Sequence, residues 1–105
     1  MIGLHQEQEV SFTARRRQGS PQETFTAVLR YVPDPPRLDE ADQEQAVHAW
    51  IEDELTGSFL DEVLGSAPSI ENLALHLYTG GARLLSGLTE VRVSPEPGVW
   101  AGYRP

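Results

Sequence analysis

Pro68-Ser69-Ile70-Glu71-Asn72-Leu73-Ala74, followed further on by Val91-Arg92-Val93-Ser94-Pro95-Glu96-Pro97-Gly98-Val99-Trp100-Ala101-Gly102-Tyr103, is the stretch that decides the fold. A serine directly after a proline is a natural N-cap, because its hydroxyl can accept a bond from one of the free N–H groups of a first helical turn. From there Ile70, Leu73, Ala74, Leu77, Leu84 and Leu85 recur at helical spacing and give the helix an apolar face. Gly80-Gly81 inside it is a weakness of about 1 kcal/mol per glycine relative to alanine. Either the helix kinks or breaks there, or another backbone packs close against it. Leu88 to Val93 and Val99 to Tyr103 then read as two strands of a hairpin around Pro95-Glu96-Pro97-Gly98, whose prolines and glycine favour a turn or a bulge.

Toward the N-terminus, His5 to Ala14 carries Val10, Phe12 and Ala14 at alternating positions, and Thr24 to Val32 is rich in threonine, valine and aromatics. Both read as strands. Arg15-Arg16-Arg17-Gln18-Gly19-Ser20-Pro21 supplies the turn between them, and Pro33-Asp34-Pro35-Pro36 stops the second strand, since proline has no N–H for a ladder. A first helix is expected from a cap at Asp39, with Val47, Trp50, Ile51 and Leu55 as its buried stripe and Gly57 as its end. Phe59, Leu60, Val63 and Leu64 form a short apolar turn that folds back over the core. The order strand, strand, helix, helix, strand, strand describes an α+β domain: a four-stranded antiparallel sheet with both helices on one face. Such a sheet leaves one face uncovered and two edges open, which a small chain resolves by association.

Composition narrows the function. The 105 residues are read as one domain, 1–105, able to bury roughly two thirds of the unfolded surface. No segment has the apolar length of a membrane helix and the N-terminus lacks a signal pattern, so a soluble, cytoplasmic protein is expected, with no membrane partner. A formal charge of −8 argues against nucleic acid, which rewards clustered cations. The absence of cysteine removes disulfides, thiolate ligands and cysteine nucleophiles, and the absence of lysine removes Schiff-base chemistry.

The two quoted stretches resemble the C-terminal half of the 6-pyruvoyl-tetrahydropterin synthase and 6-carboxytetrahydropterin synthase family. That family carries Pro-Thr-x-Glu-Asn-Leu-Ala at a helix start, then a strand with a pterin-gripping glutamate, then a final strand ending near a tyrosine. The resemblance implies the ββααββ topology called the T-fold, in which subunits join their sheets into a β-barrel and small flat ring systems bind at subunit interfaces. It extends over nearly the whole chain in element order, with motif identity confined to the C-terminal part.

Where the family's first strand ends in Phe-Ser-Ala-Ala-His, the histidine being a zinc ligand, this chain has Phe12-Thr13-Ala14-Arg15-Arg16. Arg16 stands at the ligand position, and a guanidinium cannot bind a cation. The family's His-Gly-His-Asn-Tyr meets Pro21-Gln22-Glu23-Thr24-Phe25, its Leu-Asp-His meets Leu55-Thr56-Gly57, and its catalytic cysteine has no counterpart. At the pterin-anchoring glutamate the alignment sets Pro95, with Glu96 one residue later; a bulge could bring Glu96 into register, whereas a plain slip would turn it to the opposite face.

His5, His48 and His76 are too scattered for a short zinc motif, and His48 sits near Glu44 and Glu52, where a surface ion pair is expected. No metal and no cofactor are therefore expected. Arg15-Arg16-Arg17 reads as a solvated turn cluster, or as a place where a guanidinium replaces zinc as the electrophile for a carboxylate or enolate. Ser69 and Glu71 are cap residues that the resemblance also places beside the ligand. Trp100 and Tyr103 are expected in the core or a subunit interface, and Tyr78 and His76 at a pocket if Gly80-Gly81 opens one.

The leading expectation is a zinc-free, divergent relative of these synthases that self-associates through its sheet edges and binds a small polar or ring-shaped ligand between subunits. Whether it is an enzyme is left open. As one it would be a metal-independent cyclase, isomerase or lyase, with Arg16, Glu23 and Glu96 as catalytic residues and Ser69, Glu71, Arg15 and Tyr78 as ligand-binding residues. The alternative is a non-catalytic structural or regulatory paralogue that partners an intact synthase.

Overall fold

The computed structural model of the chain describes residues 5–32 and 40–105, the side chains of 40 and 41 aside. Four strands, β1 (Gln6–Arg15), β2 (Gln22–Tyr31), β3 (Leu88–Glu96) and β4 (Val99–Tyr103), form one antiparallel sheet in the order β1-β2-β3-β4. Between β2 and β3 the chain makes helices α1 (Glu40–Leu55), α2 (Leu60–Leu64) and α3 (Ile70–Leu84). This is the expected α+β, ββααββ arrangement with one short helix added where Leu60, Val63 and Leu64 had read as an apolar turn. None of the helices described is long and apolar enough to cross a membrane.

The sheet divides its residues as period-two alternation requires. Val10, Phe12, Phe25, Ala27, Leu29, Val91 and Val93 point toward the helices and are buried; the Phe12 and Phe25 rings face each other across the β1–β2 ladder at 5.5 Å. Val47, Ile51 and Leu55 of α1, Leu60 of α2, and Leu73, Ala74 and Leu77 of α3 close the core from the other side. Burying one such side chain contributes roughly 1.5–3 kcal/mol. Tyr31 is also fully buried, with its hydroxyl held by the Glu44 carboxylate and the Gln6 side chain.

Several expectations change in three dimensions. The helix does not break at Gly80-Gly81, because the close neighbours there are side chains and not another backbone. Trp50 lies on Gly80, and Leu29 and Leu88 lie on Gly81. β3 runs on through Pro95 to Glu96, with a register shift against β4 between Val93 and Glu96, so a bulge absorbs the proline. The β1 edge is not fully open either: Gly57 N–H donates to the Thr13 carbonyl at 2.8 Å and Arg15 N–H to the Ser58 carbonyl at 3.0 Å, so the chain after α1 covers the end of that edge. The expected cap at Asp39 and the proline stop at Pro33–Pro36 lie outside the described residues.

Candidate functional site

With both hairpin turns at one end of the sheet, the chain brings Arg16, Glu23 and Glu96 to the same end. It does not bring them to one face. Glu23 has the parity of Phe25, on the helix side, whereas Thr24, Thr26 and Ser94 face the open side. Arg16 and Glu23 do meet: Arg16 Nε and Nη2 donate to the two carboxylate oxygens at 2.8 and 3.3 Å, and the guanidinium lies 5.7 Å from the centre of the Phe25 ring. Arg15 turns away and donates from Nη1 to the Ser20 carbonyl at 2.5 Å, while the Arg17 N–H binds Ser20 Oγ. The arginine cluster is thus split by strand alternation, with Arg16 engaged by an internal carboxylate and Arg15 clamping the turn.

Ser69 and Tyr78 have structural work. Ser69 Oγ accepts the Asn72 N–H at 3.1 Å as the α3 cap, and Glu71 stands exposed in the first turn. Tyr78 donates to the Leu88 carbonyl at 3.3 Å and packs its ring 5.1 Å from that of Tyr103, so it does not line a pocket opened at the glycines. Tyr103 joins the core margin as expected. Trp100 does not: it is 46% exposed on the face that the helices leave bare, with the Arg92 guanidinium 5.5 Å over its ring. His48 pairs with Gln8 across to β1 at 3.0 Å and not with a carboxylate of its own helix.

A cleft of about 450 Å³ opens on that bare face, crossing all four strands from Glu9 through Thr24 and Thr26 to Ser94, Glu96 and Trp100. The bulge builds its far wall. Ser94 is buried and donates to the Glu96 carbonyl at 2.5 Å, which pins the extra residue, and Pro95 adds a rigid rim. The lining combines two carboxylates, three hydroxyls and one indole. Carboxylates accept, hydroxyls both donate and accept, and the indole offers a flat apolar face. Glu9, Thr24, Thr26 and Trp100 were not singled out from sequence as ligand contacts, and only the cross-strand register reveals them.

A solved structure of 6-pyruvoyl tetrahydropterin synthase from Caenorhabditis elegans superposes on 99% of this chain and 95% of its own, with a TM-score of 0.74 and 13% sequence identity. The chain has that enzyme's fold. No family model matches the sequence, and no curated protein does. At this identity the likeness is one of T-fold architecture, and the chemistry rests on the residues themselves. The zinc implied by the resembled family does not fit them. Arg16, which the resemblance sets at the first ligand position, is a cation held in two bonds by Glu23. Among the described residues, no group of three or more His, Asp or Glu side chains could hold a metal.

Proposed function

We propose that this T-fold protein binds a small, polar, ring-shaped ligand in the cleft at the β3 bulge, in an assembly of copies joined through the edges of their sheets. The observation that carries the reading is the cleft itself: Glu9 and Glu96 as acceptors for ring N–H groups, and Trp100 as a surface for a flat ring. Sheet edges and an exposed face bearing Trp100 favour self-association, as in the barrel that the T-fold resemblance implies. The cytoplasm is the compartment we assign, and residues 1–105 the single domain.

Binding stands ahead of catalysis for a geometric reason. A metal-free cyclisation, isomerisation or elimination with Arg16 as electrophile needs that guanidinium free, and Glu23 occupies it. The same closed pair favours the second reading, a non-catalytic structural or regulatory partner of an intact synthase. In the catalytic form, a substrate carboxylate displaces Glu23 from Arg16; Glu96, on the opposite face of the sheet, does not reach that substrate within one copy, and Arg15, Ser69 and Tyr78 contribute by holding the frame.

A native mass spectrum of protein purified without chelators or added metal separates these readings. An oligomer carrying a discrete organic ligand, lost in Glu96→Gln, supports the binding reading. A bare oligomer favours the structural partner, and stoichiometric zinc overturns the zinc-free premise of both.

A further inference from the structure

On the outer side of the helix layer, α1 and α3 enclose a second hollow of about 270 Å³, remote from the bulge cleft. Its α3 wall is one helical stripe, His76, Thr79, Gly80, Arg83 and Leu84, at the spacing i, i+3, i+4, i+7, i+8. Opposite stand Trp50 and Glu54 of α1, one turn apart. Position 80 has no side chain, and the indole of Trp50 settles where a Cβ would be. His76 stacks on Trp50 with centroids 5.9 Å apart and bonds Glu54 at 3.0 Å, which satisfies the one carboxylate of the hollow and fixes the indole from one side. Arg83 is different. It is exposed at the rim, in the last turn of α3, with no hydrogen bond or ion pair to any of the described residues.

We propose that this hollow binds a one-ring aromatic carboxylate, its ring against Trp50 and Leu84 and its carboxylate on Arg83. Size selects the ring, since 270 Å³ falls just below the roughly 300–1,000 Å³ of pockets for drug-sized ligands. Charge selects the anion. In a chain of net charge −8, the guanidinium of Arg83 is an unengaged positive group, and the hollow's one carboxylate is already bonded to a histidine. The fork of donors suits a planar carboxylate in two parallel bonds.

The test uses full-length protein carrying Trp100→Phe, so that Trp50 is the only indole. Benzoate is titrated at constant ionic strength while Trp50 fluorescence is followed, with benzamide as the neutral isostere. The expected result is a saturable change, weakened about tenfold or more by Arg83→Gln and equally weak for benzamide, since a charge-assisted fork is lost in both. Amide chemical-shift changes should centre on His76, Thr79 and Arg83. Circular dichroism of Arg83→Gln checks that α3 is intact, and Arg83→Lys, which keeps the charge without the fork, should fall between. A linear quench without saturation, an affinity unchanged by Arg83→Gln, or shifts centred on Glu9 and Glu96 would each overturn the proposal.

Discussion

The Trp50 indole rests on Gly80: a Cβ built on that glycine would stand 2.2 Å from Cζ2 of the ring and 2.3 Å from Cη2. Those are distances no packed pair tolerates, so α1 and α3 can approach as they do only while position 80 is glycine. An alanine elsewhere inside a helix gains about 1 kcal/mol over glycine. At position 80 the clash reverses that sign. Gly80→Ala is expected to destabilise by up to about 2 kcal/mol net, overpacking at about 1–3 kcal/mol set against the helix gain of about 1 kcal/mol. In a Trp50→Leu background the same substitution should become neutral or stabilising. Chemical denaturation of the four proteins checks the pair, and equal effects in both backgrounds would refute the contact.

Gly87 closes the turn into β3 with φ +78°, and a Cβ there would fall 2.0 Å from the Val32 carbonyl oxygen. The Gly87 carbonyl in turn accepts the Val32 N–H at 3.0 Å. Backbone cannot yield as a side-chain tip can. Gly87→Ala should therefore cost more than Gly80→Ala, on the order of 3 kcal/mol or above from combined strain and clash, and thermal melts of the two variants side by side would show the ranking.

The Arg16–Glu23 pair is part-exposed, the side chains retaining 34% and 28% of their accessible surface. Solvent screening then limits its worth despite the two-bond geometry. A double-mutant cycle of Arg16→Ala and Glu23→Gln is predicted to give a coupling of about 0.5–1 kcal/mol that shrinks with added salt. A coupling several times larger would mean that the pair is desolvated by a neighbouring subunit.

Ser69→Ala removes the α3 cap and should lower stability by about 1 kcal/mol, since the Asn72 N–H then loses its acceptor. Because Ser69 acts on the helix, a ligand carried by the wild-type protein should still be retained by Ser69→Ala at a temperature where it is folded. Loss of ligand from a folded Ser69→Ala protein would place the cap in the site itself.

Much of the architecture was legible in one dimension. Val10, Phe12 and Ala14 alternate as a half-covered strand must, and Val47, Ile51 and Leu55 recur as a buried helix stripe must; all six are buried, whereas Trp50 of the same expected stripe is only partly so. The Ser69 cap is equally local, with donor and acceptor three residues apart. The candidate site was far less legible. The motif resemblance points to Arg16 and Glu23, and the hairpin does join them; it points equally to Glu96, which lies on the other face of the sheet.

What the sequence determined by itself is therefore whatever depends on neighbours within one turn of helix or one step of strand: element order, the Ser69 cap, the two hairpins and the apolar faces that make them stack as an α+β layer. Tertiary structure alone decided three things. It set Trp50 into the gap at Gly80, thirty positions away, where a glycine pair had suggested a break. It spent part of the β1 edge on residues 57–59. It assembled Glu9, Thr24, Ser94 and Trp100 from four strands into one cleft. The physical reason is common to all three: cross-strand register and helix approach are fixed by steric fit between segments distant in the chain, and local periodicity carries no information about which distant side chain will fill a given space.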